Sequence, residues 1–469
     1  MTDFAGFPIL QLMILLPFIS VIPILIFGKK HAHSVAIATW LIVLLLVIAA
    51  VWAFDSSQLL SFSLPYISYL NISLGFQVTH YNMILVLMTA IVFLAASMVG
   101  RYFIRISEVQ YNIIFTIAGG SALAMFLSSN LFLFYVFWEI SEVMMFFIIF
   151  IYGSYARRYA AIKFILYSLA SSLLLLLAMM LIYVNVSPHT LNIFSIIQYA
   201  GTIPQSIQFA ALILLLLSFI IKMPVFPFHG WLPDAHTEAP TTGSMVLAGV
   251  LLKFGGYGLI LTFLMLPIAT HYSKYIAILF TFSAIYAALV AFRQGNIKRA
   301  IAFTSITDMA IVAIGVAASG AIGYNGALYA MLSHGIVISL FFLIAGSLGQ
   351  AYGTLEISKL KGVMKSIPSL AYLFIFGAVA LVGIPLTSGF IGDLLIFIAS
   401  FASFGPLGIV PLAGVVILGA LMFWLVERIF LSGKPSLERQ LLSSSVGICG
   451  IFLAASTVAL GLLPSLLLH

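Results

Sequence analysis

Charge is what this sequence has least of. Asp, Glu, Lys and Arg together make up 7% of 469 residues, against about a quarter in a soluble domain, while 63% of the chain is hydrophobic. That balance excludes a soluble globule and reads as a polytopic membrane protein. Cysteine is nearly absent as well. The single thiol, Cys449, lies in an apolar run, which excludes an internal disulfide and a thiolate cage for zinc or iron–sulfur chemistry. The chain therefore shows no redox centre of its own. No small-residue cleavage site follows the first apolar run, so residues 7–27 read as a retained helix rather than a removed signal. The net charge of +7 comes with no aromatic-basic patch, and it reports loop asymmetry rather than an affinity for nucleic acid.

What the chain has in quantity is apolar runs of membrane length. At about 20 residues per crossing, helices are predicted near 7–27, 34–54, 81–100, 111–128, 131–152, 160–186, 207–230, 242–266, 274–292, 300–318, 324–346, 367–403, 405–430 and 443–467. The fold class is thus all-α, with about fourteen crossings. Basic residues test this reading, because cytoplasmic loops collect Lys and Arg. Lys29, Lys30, Arg101, Arg105, Arg157, Arg158, Arg293, Lys298, Arg299, Lys359, Lys361, Lys365, Arg428, Lys434 and Arg439 all fall in loops after odd-numbered helices, and only Lys274 falls opposite. That parity puts both termini on the non-cytoplasmic side. It also puts the acidic connection Asp234 to Pro240 among the basic loops, where it has some task other than orientation.

Three lysines remain, and they lie within helices. Lys222 follows the apolar run Phe209 to Ile221, Lys253 sits mid-way along Gly243 to Leu266, and Lys163 lies near the start of the sixth helix. A lysine at mid-membrane costs about 2.5–3.5 kcal/mol on insertion scales, so it needs an acidic partner, water or neutralisation. The other buried ionisable groups are Glu139 and Glu142 in the fifth helix, Asp308 in the tenth, His334 in the eleventh and Asp393 in the twelfth. Such groups face the bundle interior and mark ion pathways or proton relays, the competing reading being structural ion pairs that fasten helices. Glu139 is the acid expected to meet Lys222. Glu142, about 60° further round the helix, shares that face or points at another polar group. Lys163 either joins the relay or snorkels to the cytoplasmic surface. His334 is either a satisfied core histidine or a proton carrier.

Two helices are interrupted. Pro224 and Pro227 follow Lys222 in the seventh, and Gly383-Ile384-Pro385 precedes Asp393 in the twelfth. Opened backbone at membrane depth survives only where protein or a water-filled cavity satisfies it, so both breaks are expected at interior positions. Lying five helices apart, they suggest two inverted five-helix repeats, helices 4–8 and 9–13. The division is then residues 1–110 for helices 1–3, 111–266 and 267–432 for the two repeats, and 433–469 for the last helix. His229, Asp234, His236 and Glu238 bring metal-ligand types to one connection, but their spacing matches no zinc motif, and no metal is expected. The Gly255-Gly256-Tyr257-Gly258 cluster permits close helix packing.

The stretch KMPVFPFHGWLPDAHTEAP with GSMVLAGVLLKFGGYGL resembles the M subunits of bacterial-type NADH:quinone oxidoreductase, respiratory complex I, equivalent to the mitochondrial chain 4. The match extends through FYVFWE ending at Glu139, AAIKF around Lys163, the SHG around His334 and PLTSGFIGD ending at Asp393. The resemblance implies an antiporter-like, proton-translocating subunit without NADH or any cofactor of its own, with flavin, iron–sulfur clusters and quinone carried by partner subunits. It implies a half-channel at Glu139 and Lys222 linked through Lys253 and His334 to an exit at Asp393, and neighbours of the L and N antiporter-like types together with small membrane subunits. The setting it implies is an energy-transducing, prokaryotic plasma membrane. Two departures stand out: Asp308 occupies the place of a family histidine, and Asp393 that of a glutamate. The alternatives are a subunit of a multi-subunit cation/proton antiporter, a subunit of a proton-pumping membrane-bound hydrogenase, and a structural scaffold, the last having no use for isolated mid-membrane lysines.

Overall fold

The computed structural model describes residues 8–55, 60–434 and 441–467. Phe7 and Arg439, which figure in the first predicted helix and the basic loops, lie outside the described residues. Among those described, thirteen helices are long and apolar enough to cross a membrane. The first of them is double. α1 (Ile9–Ile19) and α2 (Val21–Asp55) form an almost continuous run, but Gly28 breaks α2 with φ 60° and ψ −158°. Nothing lies within 4 Å of a Cβ built there, so it is this backbone conformation and not crowding that calls for glycine. The break separates the predicted first and second crossings, which brings the count to the fourteen expected.

A β-hairpin, absent from the sequence reading, follows. β1 (Ser61–Ile67) pairs antiparallel with β2 (Ile72–Gln77), Ser61 opposite Gln77, with an irregularity between Pro65 and Ile67. The helices then run α3 (His80–Met98), α4 (Glu108–Leu127), α5 (Leu131–Tyr152), α6 (Arg157–Asn185) and α7 (Gln205–Lys222). They continue with α8 (Leu232–Glu238), α9 (Thr241–Met265), α10 (Ala269–Ala291), α11 (Ile297–Ala318) and α12 (Gly320–Tyr352). The last four are α13 (Pro368–Leu381), α14 (Ser388–Phe404), α15 (Leu412–Leu425) and α16 (Ser444–Leu462). Side-chain caps fix several starts: Asn130 accepts from the Leu133 amide at 2.9 Å ahead of α5, and Asn296 accepts from the Lys298 amide at 2.9 Å ahead of α11. The predicted acidic loop from Asp234 is largely the helix α8, because Pro233 suits a first helical turn.

The most apolar windows of α9 and α12 are wholly buried, and those of α11 and α3 nearly so, whereas α14 and α16 face mostly outward. Helices apolar on all sides belong in the middle. The core of the bundle is therefore α3, α9, α11 and α12, and Lys253, Asp308 and His334 lie on three of those four. Glycine brings α9 against α7: a Cβ on Gly255 would stand 2.9 Å from the Phe219 carbonyl oxygen.

The two breaks differ. α7 stops at Lys222, and the opened backbone is taken up inside the protein: Trp231 Nε1 donates to the Ile221 carbonyl at 3.0 Å, and the Phe226 amide donates to Ser283 Oγ of α10 at 3.0 Å. This break is interior from Lys222 to Val225, as expected, but reaches the surface at Pro227. The second, between α13 and α14, turns outward, with Ile384 and Leu386 45% and 65% exposed, and so corrects the expectation of an interior position. Its amides bond back locally, Gly383 to Ala380 and Thr387 to Ile384, because α13 and α14 form the wall of the bundle rather than its centre. Only the Asp393 side of the break faces inward.

Candidate functional site

Among the described residues, the ionisable groups singled out in the sequence form two clusters in the interior and one at its edge. In the first, Lys222 at the end of α7 makes an ion pair with Glu142 Oε1 of α5. Both side chains are at most 1% exposed. The partner is not Glu139, and this corrects the sequence reading. Three residues along α5 leave the two glutamates only about 60° apart round the helix, yet they have different nearest neighbours. Glu142 points at α7, while Glu139 is half-buried beside Ser172 of α6, within electrostatic range of both Glu142 and Lys222. Glu139 Oε1 is buried without a hydrogen-bond partner among the described residues. Four rings surround the Lys222 ammonium: Trp138, Phe164 and Phe254 with centroids at 5.6 Å, and Trp231 at 5.9 Å.

The second cluster starts at Lys253. Just before it, α9 widens into a π-helical turn over Leu247–Leu251. The Lys253 ammonium donates to the Ala248 carbonyl at 2.5 Å and lies 2.6 Å from His334 Nδ1 of α12. With the lysine charged, Nδ1 has to accept, which leaves the ring proton on Nε2. Nε2 faces Asp308 Oδ2 of α11 at 3.8 Å, beyond direct hydrogen-bond length. A cavity of about 30 Å³ lies here, lined by Asp308, Ser333, His334, Gly389 and Asp393. A water needs roughly 10–15 Å³, so the space suits one that bridges donor and acceptor. Ser388 Oγ donates to Ser333 Oγ at 2.9 Å, tying the start of α14 to α12. Gly383 in the outer break leaves room for Asp393, whose Oδ2 is 3.0 Å from where a Cβ would stand. The structure thus brings together Lys253, His334, Asp308 and Asp393, which the sequence spreads over 141 positions from 253 to 393.

Lys163 stands apart from both. Its ammonium bonds Asp234 Oδ2 at 2.7 Å, and Arg299 Nη1 bonds Oδ1 of the same carboxylate at 2.6 Å. Burial pushes the Asp234 carboxyl up, but the hydrogen bonds and charges of Lys163 and Arg299 outweigh it and hold the group below the usual carboxylate range. The acidic connection thus clasps α6, α8 and α11 together. The other polar groups on it go separate ways. Glu238 accepts from Ser154 Oγ at 2.7 Å and from the Ala156 amide at 2.8 Å. His229 stacks on Phe226, and His236 stacks on Phe342 with ring centroids 4.4 Å apart. Burial, then the charges of Lys298 and Lys253, keep His236 well below its ordinary range and hence neutral. Lys298, counted with the basic loops in the sequence, is 5% exposed and donates to the Ala239 carbonyl at 2.8 Å. The rings around Lys222 and the serines beside His334 are likewise not marked as functional by the sequence. Trp138 directly precedes Glu139 and Phe254 directly follows Lys253, but an aromatic residue in an apolar helix carries no mark of what it faces.

Fold and site together define an integral membrane protein, a helical bundle with paired ionisable groups strung through its interior. Residues 128–421 match the family described as NADH:quinone oxidoreductase/Mrp antiporter, TM. The NADH-quinone oxidoreductase subunit M of Rickettsia prowazekii (strain Madrid E) is 35% identical over 442 residues, covering 92% of this chain and 90% of that protein. Among solved structures, a chain of respiratory complex I from Thermus thermophilus superposes with a TM-score of 0.88 at 22% identity, covering 97% of this chain and 95% of that one. A chain of the Mrp complex from Dietzia sp. DQ12-45-1b gives 0.85 at 20% identity, with 98% and 95% covered. At such identities the structural likeness concerns the fold alone. The chain belongs to the NADH:quinone oxidoreductase/Mrp antiporter family of membrane subunits.

Proposed function

We propose that this chain is a proton-translocating membrane subunit of a complex I-like NADH:quinone oxidoreductase. The observation that carries the reading is the pair of interior clusters: Glu142 with Lys222 in one, and in the other Lys253 with His334, which shares a small cavity with Asp308 and Asp393. Breaking a buried ion pair leaves a charge uncompensated at a cost of about 3–5 kcal/mol, so opening the Lys222 pair drives protonation of its carboxylate. Glu139, one turn away with a free buried oxygen, is placed to exchange that proton. In the second cluster Lys253, His334, Asp308 and Asp393 pass it along. Glu139, Glu142, Lys222, Lys253, His334, Asp308 and Asp393 are thus the relay, and Lys163 serves the Asp234 clasp instead.

Redox chemistry belongs to partner subunits that carry NADH or another donor, flavin, iron–sulfur clusters and quinone. L- and N-type subunits and small membrane subunits are the neighbours, and the exposed break at Ile384 to Leu386 supports one of them lying there, because irregular backbone does not face lipid. Residues 111–266 and 267–432 form inverted repeats between an N-terminal unit, 1–110, and a last helix within 433–469, with both termini outside the cytoplasm. Purification from the native membrane tests the assignment: flavin and iron–sulfur subunits are expected to accompany the chain, and recovery of antiporter subunits alone would favour the rival reading. In vesicles, Lys222→Ala in an assembled complex should lower proton translocation by roughly tenfold or more. Pumping at the wild-type rate would return the pair to a structural role.

A further inference from the structure

The ion pair accounts for only one side of Lys222. The remaining sides are occupied by the Trp138, Phe164, Trp231 and Phe254 rings, drawn from α5, α6, the break after α7, and α9, all within 6 Å of the ammonium. A cation over an aromatic face is attracted by the ring quadrupole, and most strongly where water is excluded. Lys222 is 1% exposed. Apolar packing alone would be served equally well by leucine or isoleucine, which abound in this chain. The rings are also anchored independently of the lysine: Trp231 donates its indole proton to the Ile221 carbonyl, and Trp138 packs on Phe134, Phe219 and Phe254.

We propose that Trp138, Phe164, Trp231 and Phe254 are positioning residues that hold the Lys222 ammonium in place while Glu142 is protonated. The inference rests on the reading of the Glu142–Lys222 pair as proton-carrying. When Glu142 becomes neutral, the lysine loses its directly bonded counter-charge at a position where its side chain is only 1% exposed, and Glu139 remains only within electrostatic range. The ring faces then supply the negative potential, so the ammonium stays charged and poised to re-form the pair. A carboxylate in the rings' place would compete with Glu142, whereas a box of neutral rings stabilises the cation without a proton-binding site of its own.

The test uses Trp138, whose indole nitrogen has no hydrogen-bond partner among the described residues, so that changing the ring breaks no hydrogen bond. Mono-, di- and trifluorotryptophan placed at 138 keep the shape of the ring and progressively cancel its quadrupole. In the intact complex in vesicles, proton translocation is expected to fall stepwise with fluorine number, by about three- to tenfold at the end of the series. Trp138→Phe should retain most activity and Trp138→Leu little, at equal assembly. The same fluorinated series at Trp40, which stacks on Phe93 at 4.7 Å away from any lysine, should leave pumping unchanged. Translocation independent of fluorine number at 138, or an equal response at Trp40, overturns the box. Lys222→Ala run alongside separates the two readings: if it abolishes pumping while fluorination does nothing, only the box fails, and if it too is silent, the proton-carrying pair fails and the box with it.

Discussion

Asp308 puts a carboxylate 3.8 Å from the His334 ring at the position where the resemblance leads one to expect a histidine. The exchange replaces a group that is neutral or cationic with one that is anionic or neutral, yet both carry a proton. Asp308 Oδ2 has no hydrogen-bond partner among the described residues, so the bland account, in which the carboxylate simply satisfies a neighbour, has little to rest on. Asp308→Asn is therefore expected to lower translocation more than Asp308→Glu or Asp308→His, with assembly equal in all three, when pumping in vesicles is measured beside electron transfer. An asparagine variant as active as wild type would mean that His334 reaches Asp393 without Asp308.

At the scale of elements, the clasp at Asp234 decides how α8 sits between α6 and α11. Its carboxyl is held below the usual range in the folded protein. A depressed value means stability that is fully present above the unfolded value of about 3.9 and lost as pH falls through the lower folded value. In detergent solution Asp234→Asn should thus unfold several degrees earlier than wild type near neutral pH, with the difference closing below about pH 4. Because Arg299 is 37% exposed, solvent screening keeps the effect modest. A gap of unchanged size at low pH would show that the loss comes from packing and not from the ion pairs.

For the whole molecule, the one-sided distribution of basic residues makes a topological prediction. Cysteines introduced at Lys30, Arg158 and Lys361, all exposed, are expected to react only from the cytoplasmic face, and those at Asn185 and Ala321 only from the other. The native thiol does not interfere, since Cys449 is fully buried and its Sγ lies 3.2 Å from the Ala95 carbonyl oxygen. Labelling of both groups from one face would dismiss the fourteen-crossing arrangement.

Class, crossings, breaks and the identity of the costly charges were legible in the sequence by itself. In a bilayer every charge and every proline at depth is expensive, so Lys222, Lys253, Asp308, His334 and Asp393 stand out in any apolar run that holds them. The hairpin at Ser61–Gln77 was not legible, because Pro65 and a one-residue irregularity disguise the alternation a strand shows. Nor were the partners. Lys222 meets a glutamate 80 positions away and Lys253 a histidine 81 away. Which of two glutamates on one helix turns towards the lysine depends on the rotation of α5 against α7, and sequence spacing leaves that rotation open. The same holds for the four rings, the Asp234 clasp and the burial of Lys298. Each is a contact between elements, settled by how helices pack and not by what any one helix contains.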